Sequence, residues 1–238
     1  MFLNETILIV CIFATSIIHG IAGFGFGLLS IPILSFFYDI KTSIIIATYL
    51  TFISYIGPVV SNYKTMKIKS NIGIILFIFI GMLFGIFIFK EFNEKFLRLI
   101  TGGLIIIFGI LLLGNFLPSF KNFTCSKSLF GLISGALMTS CGMGGPPIVV
   151  YFSSLKLSIN QFRANVLPIF FIMTGIAAIM YAINDNQAKL TIFNSFKLLP
   201  SLVIGSYLGI LLIKKINSRI FSVIVNFLII LSGFTLLL

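Results

Sequence analysis

The sequence predicts an all-α polytopic membrane protein. Of its 238 residues, 59% are hydrophobic and only 9% are charged, whereas a soluble domain carries about 25% charged residues. Runs of about 20 apolar residues, the length of helix that crosses a hydrocarbon core, recur along the whole chain. No polar stretch is long enough to form a soluble domain. We therefore expect a single membrane domain that spans residues 1–238.

Charge and turn signals divide the chain into about eight transmembrane segments. They lie near residues 6–37, 42–62, 71–89, 96–116, 128–154, 164–183, 190–213 and 219–238. The first and the fifth are longer than one straight crossing requires. Both contain a cluster of glycine and proline, so we predict that these two segments are broken within the membrane.

The two halves of the sequence resemble each other, which predicts an internal repeat. The stretch "GMLFGIFIFKEFNEK", beginning at Gly81, corresponds to "GSYLGILLIKKINSR", beginning at Gly205, and five residues keep their identity at this interval of 124 positions. We predict two four-segment repeats, one in residues 1–122 and one in residues 123–238. Because each repeat has an even number of crossings, both should enter the membrane in the same direction.

Basic residues set the expected orientation. The net charge of +11 comes from Lys and Arg in short loops, a pattern that orients membrane proteins and gives no reason to expect nucleic acid as a partner. If each segment crosses the membrane once, nine basic residues lie on one face and seven on the other. The first group includes those in residues 90–98 and 214–219 and Arg163, and the second includes Lys67. The positive-inside rule then predicts that the first face is cytoplasmic and that both termini lie outside.

Cysteine, histidine and acidic residues limit the chemistry that the chain can perform. Cys11, Cys125 and Cys141 are odd in number and show no CxxC spacing, so neither a disulfide framework nor a metal site is predicted, and no cofactor is expected. The acidic residues lie at segment ends or in loops, which leaves no obvious buried carboxylate to relay protons. His19, just before the first break, could bond across helices or act as a proton carrier.

The clusters at the two breaks are the candidate binding site. In "SCGMGGPPIVVYF", prolines suit the first turn of a new helix, and glycines let the backbone turn and approach a ligand closely. The start of that helix presents unpaired N–H groups and a positive dipole end, which favours an anion. A structural kink is the alternative, although a kink needs only one proline. The predicted substrate-binding residues are Gly23, Gly25, Gly27, Ser140, Gly142, Gly144, Gly145, Pro146, Pro147, Arg163 and Asn165.

The GxxxG spacings and Arg163 also have simpler interpretations. Gly81 with Gly85, and Gly205 with Gly209, form GxxxG pairs that we expect to bring helices close together and not to bind a ligand. Arg163 could fork onto an anion, or it could be an ordinary cytoplasmic topology signal. Both interpretations of Arg163 stay open at this point.

The stretches around the two breaks resemble a known family. "GIAGFGFGLLSIPIL" in the first half, and "SGALMTSCGMGGPPIVVYF" followed by "QFRANVLPIFF" in the second, are similar to the two halves of the sulfite exporter TauE/SafE family of permeases. The similarity is most specific where the glycine and proline cluster precedes Arg163 and Ala164. It implies a multi-pass protein of the cytoplasmic (cell) membrane that moves sulfite, sulfoacetate or related organosulfur anions, without enzymatic turnover.

Two other classes of function remain possible from the residues alone. One is a transmembrane thiol-redox carrier that uses Cys11 and Cys141, which would need a reactive thiol pair. The other is a membrane scaffold that transports nothing. The expected partners of the permease are a small inorganic or organosulfur anion and the lipid bilayer. Whether the protein forms an oligomer stays an open question.

Overall fold

The structure, a computed structural model, describes residues 2–113, 126–155, 157–184, 191, 195–212 and 218–237, and these residues form ten α-helices and no strand. The helices are α1 (Phe2–Ala22), α2 (Phe26–Leu34), α3 (Ile40–Asn62), α4 (Ile68–Glu91), α5 (Glu94–Leu113), α6 (Ser126–Cys141), α7 (Gly145–Ser154), α8 (Ile159–Asn184), α9 (Leu199–Leu212) and α10 (Ser218–Leu237). In the described part of the chain, α1, α3, α4 and α8 are long and apolar enough to cross a membrane. The all-α membrane class is therefore confirmed, whereas the count of eight segments is not.

Both predicted breaks are present. The first segment consists of α1 and α2, separated by residues 23–25, and the fifth consists of α6 and α7, separated by residues 142–144. The second, third, fourth, sixth and eighth segments each coincide with one helix to within a few residues. The predicted repeat boundary at residues 122 and 123 lies outside the described residues and stays a prediction.

The chain forms two compact units. The first contains Met1–Leu50, Asn93–Phe116 and Gln187–Leu238, and the second contains Thr51–Phe92 and Leu117–Asn186. Helix α3 continues from the first unit into the second. Each unit therefore draws helices from both halves of the sequence, and neither coincides with one predicted repeat.

In the second unit, α4 and α6 run parallel and pack closely along their glycines. Gly81 lies against the backbone of Leu132, and Gly85, one turn further along α4, lies against the backbone of Ala136. Gly135 of α6 in turn faces the backbone of α4. A side chain at any of these glycines would collide with the opposite helix. The prediction that this GxxxG pair brings helices together is therefore confirmed.

Helix α8 also runs parallel to α4. At one end, the backbone N–H of Lys67 donates to the carbonyl of Ala164 at 2.9 Å. At the other end, the Lys90 ammonium donates to the side-chain oxygen of Asn184 at 3.1 Å. Because α4 is parallel to both α6 and α8, the helices α6 and α8 run in the same direction.

The short helix α7 therefore returns the chain to the end at which α6 began. The ring of Tyr151, near the end of α7, lies 5.9 Å from the ring of Phe130, near the start of α6. The broken fifth segment is thus a helical hairpin, and the prediction that it makes one interrupted crossing is wrong. Gly142 has φ of +70°, a conformation that lets the backbone turn and that other residues rarely adopt.

This hairpin changes the grouping of the charges. We predicted Arg163 on the same face as residues 90–98 and opposite to Lys67. The hydrogen bond between Lys67 and Ala164 places Arg163 beside Lys67 instead. Helix α4 contains 24 residues, so at about 1.5 Å per residue Lys90 lies more than 30 Å away, at the other end of the helix. The prediction failed because it assumed that every long segment crosses once.

In the first unit, α1 and α9 run parallel. Glu5 in the first turn of α1 forms an exposed salt bridge of 3.7 Å with Lys197, just before α9. Further along, Gly205 and Gly209 of α9 lie against the backbone of α1, and Gly209 faces Ile17. The second GxxxG pair is therefore also a site of close helix packing, as expected.

Helices α5 and α10 of the first unit run antiparallel. Gly102 in the first half of α5 contacts Leu237 at the end of α10, and Gly109, two turns later, contacts Ile230. These helices are the fourth members of the two predicted repeats, so their antiparallel packing contradicts repeats that enter the membrane in the same direction. It also puts the starts of α5 and α10 at opposite ends of the pair.

Labelling of single cysteines will test the direction of the helices in the second unit. In a version whose native cysteines are replaced by serine, Lys69→Cys and Arg163→Cys should react with an impermeant maleimide from the same side of the membrane. Lys90→Cys should react from the opposite side, because it lies at the far end of α4. Labelling of Arg163→Cys and Lys90→Cys from one side would contradict the hairpin.

Candidate functional site

The first break is built by glycines in left-handed conformations. Helix α1 ends at Ala22, and Gly23 and Gly25 have φ of +78° and +84° before α2 begins at Phe26. Residues that have a Cβ rarely adopt this backbone conformation, so the break requires glycine at these two positions. The third predicted glycine, Gly27, lies inside α2 and is buried.

This break offers both space and hydrogen-bond donors. A Cβ built on Gly23 would meet no atom within 4 Å. The first N–H groups of α2, beginning with Phe26 and Gly27, have no partner within the helix, and Gly25 at the cap position provides no side-chain hydrogen bond. Open space next to N–H groups that have no partner within their helix, at the positive end of that helix, is a geometry that suits an anion.

Besides the open space and the N–H groups, α2 contains Ser30, whose hydroxyl is a further hydrogen-bond donor. Its side chain is fully buried, and its hydroxyl has no hydrogen-bond partner in the described part of the chain. By contrast, Ser16 and Thr48 donate to carbonyls one turn earlier, at 2.6 and 2.8 Å. A buried hydroxyl without a partner costs about 1–3 kcal/mol. Ser30 was not among the predicted site residues, although the sequence shows that it lies one turn after the break.

His19 holds the end of α1 in place. Its backbone carbonyl accepts the N–H of Gly23 at 2.7 Å, and its ring forms a hydrogen bond with the backbone of Phe24. The ring also packs edge-on against Phe26, with centroids 5.8 Å apart. These contacts support a structural role for His19 at the break, and the role of proton carrier stays a prediction.

At the second break, the backbone forms hydrogen bonds with the end of α6. The N–H of Gly142 donates to the carbonyl of Met138 at 3.0 Å, and α7 begins at Gly145 with Pro146 and Pro147 in its first turn, as predicted. Both prolines are buried. Because proline has no N–H, the start of α7 offers fewer donors to an anion than the start of α2.

Gly144 and Gly145 differ in the room around them. A Cβ on Gly144 would lie 2.7 Å from both the sulfur of Met173 and the carbonyl oxygen of Ser134. The Ser134 hydroxyl also donates to the carbonyl of Gly144. At Gly145 the nearest atom is Cζ of Phe170, at 3.7 Å. Gly144 therefore serves the packing of α6 and α8 against the break, whereas a methyl group at Gly145 would make only an ordinary van der Waals contact with Phe170.

Asn165 ties α8 to the start of α4. Its side-chain oxygen accepts a hydrogen bond from the amide of Asn71 at 3.0 Å, and its own amide donates to the carbonyl of Gln161 at 2.7 Å. Asn71 and Asn165 are both buried. The contacts of Asn165 are thus structural, and its partner Asn71 was missed because nothing in the sequence connects these two positions.

The other predicted site residues do not border the open side of either break. Ser140 is buried, and its hydroxyl donates to the carbonyl of Ala136 within α6 at 2.7 Å. Arg163 lies in the first turns of α8 with an exposed side chain. Neither residue is positioned at the open side of a break, so a substrate role for either stays a prediction.

The two described cysteines are free thiols. Cys11 is half-buried in α1, and Cys141 is buried at the end of α6. Cys125 lies outside the described residues. The redox alternative therefore has no described disulfide to support it, and it stays a prediction.

Comparison with known proteins identifies the family. The sequence model described as sulfite exporter TauE/SafE matches residues 8–236, nearly the whole chain. The chain belongs to this family. TauE/SafE proteins are membrane permeases, so the predicted resemblance, the transport function and the multi-pass membrane location are confirmed at that level. No curated protein and no solved structure matches the chain.

Two alanine substitutions at the second break of this TauE/SafE protein will test whether Gly144 is packed more tightly than Gly145. Gly144→Ala should lower the free energy of unfolding by about 1–3 kcal/mol, because the added Cβ overlaps Met173 and Ser134. Gly145→Ala should unfold at the wild-type temperature, because its nearest neighbour leaves room for a methyl group. Equal losses, measured by unfolding in detergent, would show that Gly145 is packed as tightly as Gly144.

Proposed function

We propose that this TauE/SafE protein exports sulfite, sulfoacetate or related organosulfur anions across the cytoplasmic membrane. The family match supports a permease for small anions. The observation that carries the proposal further is the start of α2, where Gly23 borders open space and Ser30 keeps an unbonded hydroxyl. The N–H groups of the first turn of α2 lie between these two features along the chain.

The start of α2 can bind an oxyanion through dipoles alone. Sulfite and sulfonates present several oxygens that accept hydrogen bonds, and the N–H groups and the Ser30 hydroxyl are donors of matching chemistry. The positive end of the helix adds a favourable field, which acts more strongly in an interior of low dielectric. The stretch from Gly20 to Leu34 contains no Lys or Arg. Binding without a fixed charge leaves the anion able to dissociate on the other side.

The positions of the described acidic residues support a transport mechanism that does not use carboxylates to relay protons. Glu5, Asp39, Glu91 and Glu94 all lie at the ends of helices. Asp39, for example, accepts the backbone N–H of Thr42 at 3.1 Å at the start of α3. The membrane potential can instead drive export, because each negative charge that leaves a negative cytoplasm gains about 2.3 kcal/mol per 100 mV.

Replacing Ser30 will test the site at α2. Ser30→Ala should raise the KM for sulfite about fivefold, since the anion loses a hydrogen bond worth about 1 kcal/mol. The unfolding temperature should stay the same or rise, because the substitution removes a buried hydroxyl that has no partner in the described structure. Transport by purified protein in liposomes and unfolding in detergent measure the two effects.

Ser16→Ala is the matched control. Ser16 is also buried, but its hydroxyl is already bonded to the carbonyl of Ile12. This variant should lose some stability and keep its KM. A wild-type KM in Ser30→Ala, or an equal change in both variants, would remove Ser30 from the site and leave the family assignment untouched.

The direction and the energy source will be tested by imposing a membrane potential. In liposomes, a potential negative on the cytoplasmic side should accelerate efflux of sulfite, because a dianion gains roughly 4–5 kcal/mol per 100 mV on leaving. A proton gradient should add little beyond changing the protonation of sulfite itself. Efflux that ignores voltage, follows the pH gradient and loses that dependence in His19→Gln would contradict this mechanism and make His19 the proton carrier.

A further inference from the structure

We propose that the second unit binds the headgroup of an anionic phospholipid at the end where α4, α6 and α8 begin. Four basic residues define this cationic cluster: Lys67, Lys69, Lys127 and Arg163. The parallel directions of the three helices bring them to one end of the unit. If each predicted segment crossed the membrane once, these residues would be divided between two faces, so the cluster becomes apparent only in the fold.

Hydrogen bonds connect the parts of the cluster. The N–H of Lys67 bonds to the carbonyl of Ala164, next to Arg163, at 2.9 Å. The buried pair of Asn71 and Asn165 fixes the same two helices one turn further in. Lys67, Lys69 and Arg163 have exposed side chains. The backbone beneath the cluster is thus held firmly, while three of its charged groups face outward.

Lys127 crosses from α6 to α4. Its ammonium lies 3.3 Å from the carbonyl oxygen of Ser70 and donates to it. The same nitrogen lies 3.6 Å from the position that a Cβ on Gly73 would occupy. The glycine therefore leaves room for the lysine to lie along α4. This contact adds the charge of Lys127 to those of Lys67 and Lys69 at the start of α4.

The described part of the chain provides no acidic partner for the cluster. The sole described acidic residue of the second unit is Glu91, the last residue of α4, which lies at the opposite end of that helix. None of the four basic side chains forms a salt bridge with a described residue. Their combined charge is therefore available to an anion from outside the chain.

Apolar surface begins directly next to the cluster. On α4, Ile72 and Leu76 are 51% and 58% exposed, and on α6, Leu129 and Ile133 are 55% and 40% exposed. In a bilayer, such side chains face the acyl chains of lipids. Positive charge at the edge of an apolar helix surface lies at the depth of the headgroups. This combination fits a phospholipid, which has a negative headgroup and apolar chains, better than a soluble anion.

The cluster also indicates which membrane leaflet is contacted. Basic residues concentrate on the cytoplasmic side of membrane proteins, and anionic lipids of that leaflet attract each Lys or Arg near the surface by about 1 kcal/mol. The end of the second unit that carries the cluster therefore faces the cytoplasm. The end with Lys90 and Glu91, where charges of both signs meet, faces outside.

Lipid-dependent unfolding of the purified full-length protein will test this site. Phosphatidylglycerol added to the detergent solution should raise the unfolding temperature more than phosphatidylcholine does, and high salt should reduce the difference. The variant with Lys69→Gln, Lys127→Gln and Arg163→Gln should respond equally to both lipids. Lys90→Gln, which changes a lysine at the opposite end of α4, should keep the wild-type preference.

Native mass spectrometry of the same proteins should show fewer retained phosphatidylglycerol molecules on the triple variant than on Lys90→Gln. A triple variant with the wild-type lipid preference would overturn the proposal. So would inorganic phosphate that reproduces the stabilisation by phosphatidylglycerol at equal concentration in the wild type and not in the triple variant, because the cluster would then bind soluble anions. Both measurements are independent of transport, so their failure would not affect the proposed export function.

Discussion

The turn at Gly142 determines which helix ends of the second unit share a membrane face. A chain that reverses inside hydrocarbon must satisfy its own N–H and C=O groups, because no water is present to do so. Here the N–H groups of Gly142 and Met143 return to carbonyls of α6, and two prolines without N–H groups open α7. The reversal therefore leaves few unsatisfied donors. Its consequence is that α8 begins at the end where α6 began, which the packing of α4 against α6 shows to be the end where α4 begins as well.

The position of each break could be predicted from the sequence, and the direction of the chain after it could not. Hydrophobic length and glycine content are local signals, so they located residues 23–25 and 142–144 and the GxxxG contacts of Gly81 and Gly205. A kinked crossing and a hairpin require the same local sequence. Contacts between distant residues, such as Asn71 with Asn165, select the hairpin. An error at this one step transferred Arg163 to the wrong face.

The candidate site shows a related limit. Residues that stand out in a family pattern include those that the fold needs, and Gly144 and Asn165 have the contacts of packing residues. The sequence shows the position of a serine in an apolar helix, but it does not show whether the hydroxyl bonds to a carbonyl one turn earlier, as many such hydroxyls do. Ser30 differs from Ser16 only in its three-dimensional surroundings. The sequence could therefore locate the breaks, but it could not identify which of their side chains keep a donor available.

The placement of positive charge follows from what a permease must do. A lysine or arginine inside the membrane at the break would be costly to bury, and it would hold an anion tightly once the two were paired away from water. At the proposed site, the backbone N–H groups at the start of α2 and the Ser30 hydroxyl would attract an anion without a full charge. The full charges lie at the helix ends instead, where water and headgroups solvate them. A site of dipoles can release its anion in each transport cycle, which a buried ion pair would oppose.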